Sequence, residues 1–317
     1  MTARLWGSRS FKLWSGGWLA LVCLVVQWPG HLQALTIDSE QQYQFAESLF
    51  DSHQYRRAAE EYQRFAFFFP GDRRRRPALF KAGQAFLLAK DPSAARDRFD
   101  ELTHGDELDA IAVDSHFMMV ECDLQLNRIT QAVLELNNLI ALSDDEEVRD
   151  RAYDRLGWLH IELADWPAAR KAFAKVSAAR RSRFRIDDLE RELQRADHLP
   201  SRSPGLAGTL SIIPGAGQFY CNRYEDALIA LAVNVGLFWA AHDAFDEDQY
   251  ALGGVLAFIG MGFYAGNIYG AVGDAHKFNQ NMQRQFSIYL QRQLVPESPP
   301  WESRAPAGML FSLHVPF

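Results

Sequence analysis

The chain has 317 residues, 48% of them hydrophobic, with 33 basic and 40 acidic side chains and a formal charge of −7. That length accommodates two domains. The acidic balance excludes a nucleic-acid surface, which needs clustered cations, and three cysteines exclude a disulfide framework.

The first 34 residues carry Arg4, Arg9 and Lys12 and no acid, then the apolar run Trp18–Trp28, Pro29-Gly30 and Leu32-Gln33-Ala34. Basic, apolar and small-residue regions in that order are a secretory signal, with cleavage after Ala34. An uncleaved anchor is the alternative, because Leu32 stands where a smaller residue is usual. Removing three cations takes the charge from −7 to −10 and leaves Cys122 and Cys221.

Residues 35–179 are internally periodic. Ala46, Gly83, Val120 and Gly157 are 37 apart, as are Ala58, Ala95, Ala132 and Ala169, and Tyr62, Phe99, Leu136 and Phe173. Three columns in one register over four copies predict a helical repeat. Each copy reads as two helices. The first pairs Gln41–Asp51 with Tyr55–Phe68 and ends at Pro70-Gly71; the fourth pairs Asp150–Leu163 with Pro167–Val176. Pro167 suits a first helical turn, where its missing N–H costs nothing.

The order small residue, Ala, aromatic, apolar and Pro at Ala46, Ala58, Tyr62, Phe65 and Pro70 resembles the tetratricopeptide repeat. The resemblance implies an all-α fold: a solenoid of four helix pairs, followed here by a C-terminal helical membrane domain. It also implies a concave groove lined by the first helices, near Tyr43, Glu47, Phe80, Gln84, Phe117, Glu121, Trp158 and Glu162. Those residues are either aromatic anchors and acidic contacts for a peptide, or ordinary packing between helices. The arginine runs 73–76 and 180–185 are solvated faces, or contacts with anionic lipid. Residues 180–202 read as a charged, solvated capping helix, Ile186–Ala196, and a linker.

Residues 203–275 read as a membrane domain. Ser203–Asn222 has 20 residues without a charge, Ala227–Ala241 has 15 and Tyr250–Gly273 has 24. A spanning helix needs about 20 apolar residues. Basic flanks prefer the cytoplasm, so three crossings place the acidic loop Asp246–Asp248 outside and the Lys277 flank inside; a re-entrant first segment is the alternative, because Pro214-Gly215 breaks the helix. Gly262, Gly266 and Gly270 form a four-residue ladder for close helix packing, with Asn234 and Asn267 as interhelical hydrogen-bonding groups; a polar path or a homo-oligomer contact is the sharper reading. Pro214, Gly215, Gly217, Gln218 and Tyr220 resemble a turn of short bacterial membrane proteins, and Asn267-Ile268-Tyr269 with Lys277-Phe278-Asn279 resembles the matching end of that module. Residues 276–317 read as a polar tail. Its end, Met309 to Phe317, alternates in the manner of the terminal strand of outer-membrane barrels, but is too short to form one.

No paired histidines, phosphate loop or nucleophile motif occurs, so neither an enzyme nor a metal or other cofactor is expected. The sequence points to an exported scaffold of the bacterial envelope, anchored in the inner rather than the outer membrane. It would bind an envelope protein or peptide through the repeats, and it resembles periplasmic repeat proteins of outer-membrane assembly without their lipid-anchor cysteine. The alternative is an oligomeric pore or solute path that the repeats regulate.

Overall fold

The computed structural model describes residues 38–105 and 108–294. The expected leader at residues 1–34 and the expected strand-like segment at Met309–Phe317 lie outside the described residues. Among the described residues every regular element is helical: α1 (Ser39–Asp51), α2 (Tyr55–Phe68), α3 (Arg75–Leu88), α4 (Pro92–Thr103), α5 (Ala110–Gln125), α6 (Ile129–Leu142), α7 (Glu146–Glu162), α8 (Trp166–Phe173), α9 (Ile186–Arg195), α10 (Pro204–Leu210), α11 (Ala216–Tyr220), α12 (Tyr224–Asp246) and α13 (Tyr250–Leu294).

Five of the first eight helices start at a side-chain cap. Asp38, Asp91, Asp109, Asp145 and Asp165 each accept a hydrogen bond from a backbone N–H of the first turn. Such a carboxylate satisfies an orphan donor and favours the positive end of the helix dipole. Within each pair the turn is the same: His53, Lys90, Asn127 and Ala164 have φ of 61°, 59°, 57° and 54°. The following N–H reaches back five residues, from Gln54 to Leu49, Asp91 to Phe86, Arg128 to Asp123 and Asp165 to His160. This is the Schellman closure, with a non-glycine residue in the left-handed position. It is a further column of the 37-residue register.

α1 to α8 pack in chain order, each helix mainly on the next. The size columns explain the fit. A Cβ on Gly83 would stand 2.6 Å from the Phe99 ring, and one on Gly157 would stand 2.4 Å from Phe173. Where the small residue is larger the partner is different: Ala46 shares its cluster with Tyr62, and Val120 with Leu136, all fully buried. In the third copy volume is exchanged between the two columns, Val120 for glycine and Leu136 for an aromatic ring, so that helix spacing is kept.

Ion pairs stitch each first helix to the next: Glu40–Arg74 at 2.6 Å, Glu47–Lys81 at 2.5 Å, Asp114–Arg151 at 3.7 Å, and Glu121–Arg155. The arginine runs belong to this stitching. Arg75 pairs with Glu101, Arg76 with Asp109, Arg180 with Asp150 and Arg181 with Glu190. α9 is more than a solvated cap, because Ile186, Leu189 and Leu193 are fully buried against α8 and α7.

Two boundaries differ from the expectation. Ser203–Asn222 is not one long segment: α10 has 7 residues and α11 has 5. At 1.5 Å per residue neither could cross a bilayer. The chain reverses after Pro214 and folds back on α13, so two helices, α12 and α13, are long and apolar enough to cross a membrane, rather than three. The other difference is α13 itself. It does not end near Gly273 but runs 45 residues, and its polar half returns to the repeats. Phe286, Leu290 and Leu294, four residues apart, join the core of Trp166, Phe173, Ile186 and Leu193.

Two substitutions test this packing with opposite signs. Gly157→Ala drives a methyl into the Phe173 ring and should lower unfolding stability by about 1–3 kcal/mol. Ala164→Gly relieves a left-handed alanine and should raise it by about 1 kcal/mol. Urea titration of the full chain in detergent reads both.

Candidate functional site

The row expected to line a groove is largely filled. Phe117, Trp158 and Gln84 are buried, at 4%, 3% and 6% exposure, and therefore offer little surface to an incoming peptide. The Phe117 ring carries the Arg151 guanidinium 4.5 Å from its centroid, and Trp158 packs edge-on against Phe173. Phe80 does the same against Phe99. Tyr43 sits edge-on to Tyr62 and Phe65 with Arg74 stacked over it. Glu47 accepts from Tyr62 Oη at 2.5 Å and from Lys81 Nζ. Hydrogen bonds from Lys81 and Tyr62 hold its carboxyl below the usual range against the opposing effect of burial.

The other two acids of the row differ. Glu121 is bound by Arg155, whose side chain is 2% exposed. Both carboxylate oxygens of Glu162 are buried without a hydrogen-bond partner, and burial pushes its pKa up to about 7. Asp154, two helical turns earlier on α7, was not singled out from the sequence. It is 2% exposed, is held by Trp158, and is likewise pushed up by burial to about 7. The spacing Asp154, Trp158, Glu162 was a readable signal of one helix face.

The Pro-Gly turn is tightly specified at two glycines. Gly215 has φ +85°, and a Cβ there would lie 2.2 Å from the Ala227 carbonyl oxygen. Gly217 has no room either: a Cβ would lie 2.0 Å from Ser211 Oγ and 2.6 Å from Ala271 Cβ. Both positions therefore require glycine. The reversal is held by one side chain of α13. Asn267 Oδ1 accepts from Gly215 N at 3.2 Å, its Nδ2 donates to Ser211 O at 2.9 Å, and its own carbonyl accepts from Gln218 Nε2 at 2.9 Å. Tyr220 Oη accepts from Ser203 N at 3.2 Å. Below the turn, Asn279 clasps the linker: Oδ1 accepts from Arg202 N at 2.7 Å and Nδ2 donates to Arg202 O at 2.9 Å. Arg202 stacks between Tyr220 and Phe278. The two halves of the motif, far apart in sequence, are thus brought together.

The glycine ladder faces the other way. Gly262 and Gly266 would meet nothing within 4 Å, and Gly270 only the tip of Gln218. The buried face of α13 is Gly253, Gly260, Asn267 and Asp274, at seven-residue spacing. There Gly253 admits Phe245, and a Cβ on Gly260 would stand 3.5 Å from Leu237. Asn234 lines a groove of about 470 Å³ beside Gly262 and Gly266; its Nδ2 donates to Ala230 O at 2.7 Å and its Oδ1 has no partner. Among the described residues no cluster of His, Cys, Asp or Glu could hold a metal ion.

Asn267→Leu strips Gly215 N–H and Ser211 C=O of their partners. Each orphan should cost about 1–3 kcal/mol, and amide exchange at residues 215–219 should accelerate while the repeats are unaffected. A second measurement concerns pH. Asp154 and Glu162 keep their protons in the folded chain up to about pH 7, whereas unfolded they release them near 3.8 and 4.5. Their contribution to stability is therefore full in acid and is lost as pH rises toward 7. The Asp154→Asn, Glu162→Gln pair should gain stability relative to the parent between about pH 4 and about pH 7 and hold that gain above it, read by urea titration across that range. No protein-family model matches this chain, and no curated protein matches it.

Proposed function

We propose that the chain is a membrane-anchored scaffold of the bacterial envelope, whose tetratricopeptide-like repeats hold a protein partner next to a membrane. The observation that carries the anchor is the inside-out character of α12 and α13. Their large apolar side chains point away from the protein: Leu228, Trp239, Phe258 and Met261 are between 67% and 79% exposed. Their buried positions are small or polar, such as Gly260, Asn234 and Asn267. Water penalises that distribution and a lipid environment favours it.

Two crossings put residues 38–202 and the end of α13 on one side and the turn Glu247–Gln249 on the other. The hairpin α10–α11 then lies at membrane depth, and its irregular backbone is shielded and satisfied by Asn267, as such backbone requires. Leu206, Ile212, Ile213 and Phe219 on its outer face are exposed and apolar. A leader at residues 1–34 delivers the repeats to the periplasm. The basic residues Arg202, Arg223 and Lys277 on the repeat side oppose this orientation, but whole domains translocate largely regardless of charge. The scaffold half of the reading rests on stacking in chain order, which builds extended surfaces.

Flotation on a density gradient combined with protease protection tests the anchor and its side. The expected outcome is that the chain floats after alkaline carbonate washing. In spheroplasts the repeats should be digested while residues 224–273 are protected. Release by carbonate would overturn the anchor; repeats that resist digestion until the membrane is opened would overturn the periplasmic placement.

A further inference from the structure

The first helix of each pair begins, and the second ends, at one edge of the stack. At that edge, where α4 ends at Thr103, α5 begins at Ala110, α6 ends at Leu142 and α7 begins at Glu146, the helices part to leave a cleft of about 660 Å³. Its walls include the apolar side chains of Val113, Leu142 and Val148, and its rim is acidic, with Asp144, Asp145 and Glu147. His116 also lines it. This histidine is 5% exposed and its Nδ1 is bound to Glu135. Its Nε2 is buried and has no hydrogen-bond partner. With Nδ1–H directed at the Glu135 carboxylate, the neutral ring presents a lone pair at Nε2, which asks for an N–H donor.

We propose that this edge cleft receives a lysine or arginine side chain from a peptide segment of the partner. Val113, Leu142 and Val148 take its methylene stem, the His116 lone pair accepts from its tip or from the adjoining amide, and Asp144 offsets its charge. Asp144 forms no ion pair among the described residues, whereas Glu147 is engaged by Arg180 at 3.3 Å. The one cation on the wall, Arg151, is already compensated: it lies 3.7 Å from Asp114 and over the Phe117 ring, with its side chain 12% exposed. The chain's net charge of −7 favours approach of a basic segment. The cleft rests on the scaffold reading, but uses a different surface from the filled row on the first helices.

The test uses the full chain in detergent and a labelled Ser/Gly nonapeptide with two lysines, beside its acetyl-lysine and glutamate counterparts, read by fluorescence anisotropy. The lysine peptide should bind saturably at one site, and the other two should not. Asp144→Lys and Leu142→Arg, both at exposed positions, should each weaken binding about tenfold, which is about 1.4 kcal/mol. Glu60→Lys, an equal charge change on the exposed face of α2, should leave it within about twofold. Equal loss in Glu60→Lys and Asp144→Lys, equal binding of the acetylated peptide, or no saturation would each overturn the site. Flotation of the same preparation separates the two readings: a chain that floats without binding the peptide loses the cleft only, and one that binds without floating loses the anchor only.

Discussion

Everything in this molecule is constrained by the continuity of α13. At 1.5 Å per residue its 45 residues extend about 67 Å. The first half carries apolar side chains outward, and the second half carries them inward, onto α7, α8 and α9. One hydrogen-bonded rod therefore belongs to two cores with opposite rules of burial. The switch falls at Ala271–Ala275, where both alanines are fully buried and Asp274 draws Arg223 to 3.3 Å and Lys277 to 3.7 Å. Small side chains let the α10–α11 hairpin approach there, and the charges mark where the outward apolar side chains of α13 give way to polar ones.

The hairpin depends on that rod in turn. A chain that reverses within a few residues leaves N–H and C=O groups without helical partners, and far from water they must be satisfied by protein. Asn267 is the right residue because one amide can accept from Gly215 and donate to Ser211 at the same time. The Pro-Gly-x-Gly-Gln signature then reads as geometry. Gly215 makes the reversal, Gly217 makes room for Ser211 and Ala271, and Gln218 ties the turn to the carbonyl of Asn267 itself.

Much of this was legible in the sequence. The 37-residue columns located the helix pairs to within a few residues because a packed position tolerates few sizes, and the size exchange at Val120 and Leu136 explains why the third copy looked weak. The apolar runs located α12 and the start of α13. Less legible was anything that depends on which face turns inward. The glycine ladder suggested a packing seam, yet the seam is the seven-residue series Gly253, Gly260, Asn267 and Asp274. Two stripes of small residues coexist on α13, and periodicity alone does not rank them. The groove row failed to read for a related reason: Phe117 and Trp158 stand where the tetratricopeptide resemblance puts a groove, but their rings are taken up by Arg151 and Phe173. The polar half of α13 looked like a tail because its apolar positions, Phe286, Leu290 and Leu294, are sparse and separated by charge and amide.

That sparse stripe has a consequence for how the two halves relate. A stack of helix pairs buries its faces only against neighbours, so its last pair needs a cap. Here the cap is α9 together with the end of α13: Trp166 meets Phe286 edge-on at 5.4 Å, Ser287 Oγ donates to Ile161 O at 3.0 Å, and Arg185 donates to Gln293 O at 2.7 Å. Leu290 and Leu294 complete the cover. The element that holds the repeats to the apolar hairpin is thus also the element that finishes their core. Cutting the chain in the linker near residue 202 would remove the two long apolar helices and uncover Trp166, Phe173 and Leu193 together. The fourth pair is therefore stiffly coupled to the hairpin, and the first pair, α1 and α2, is the end farthest along the stack from that support. Strain or motion entering from the hairpin would reach α7 and α8 first, through contacts on Ile161 and Trp166. The buried acids Asp154 and Glu162 lie on α7, within the helix that receives it.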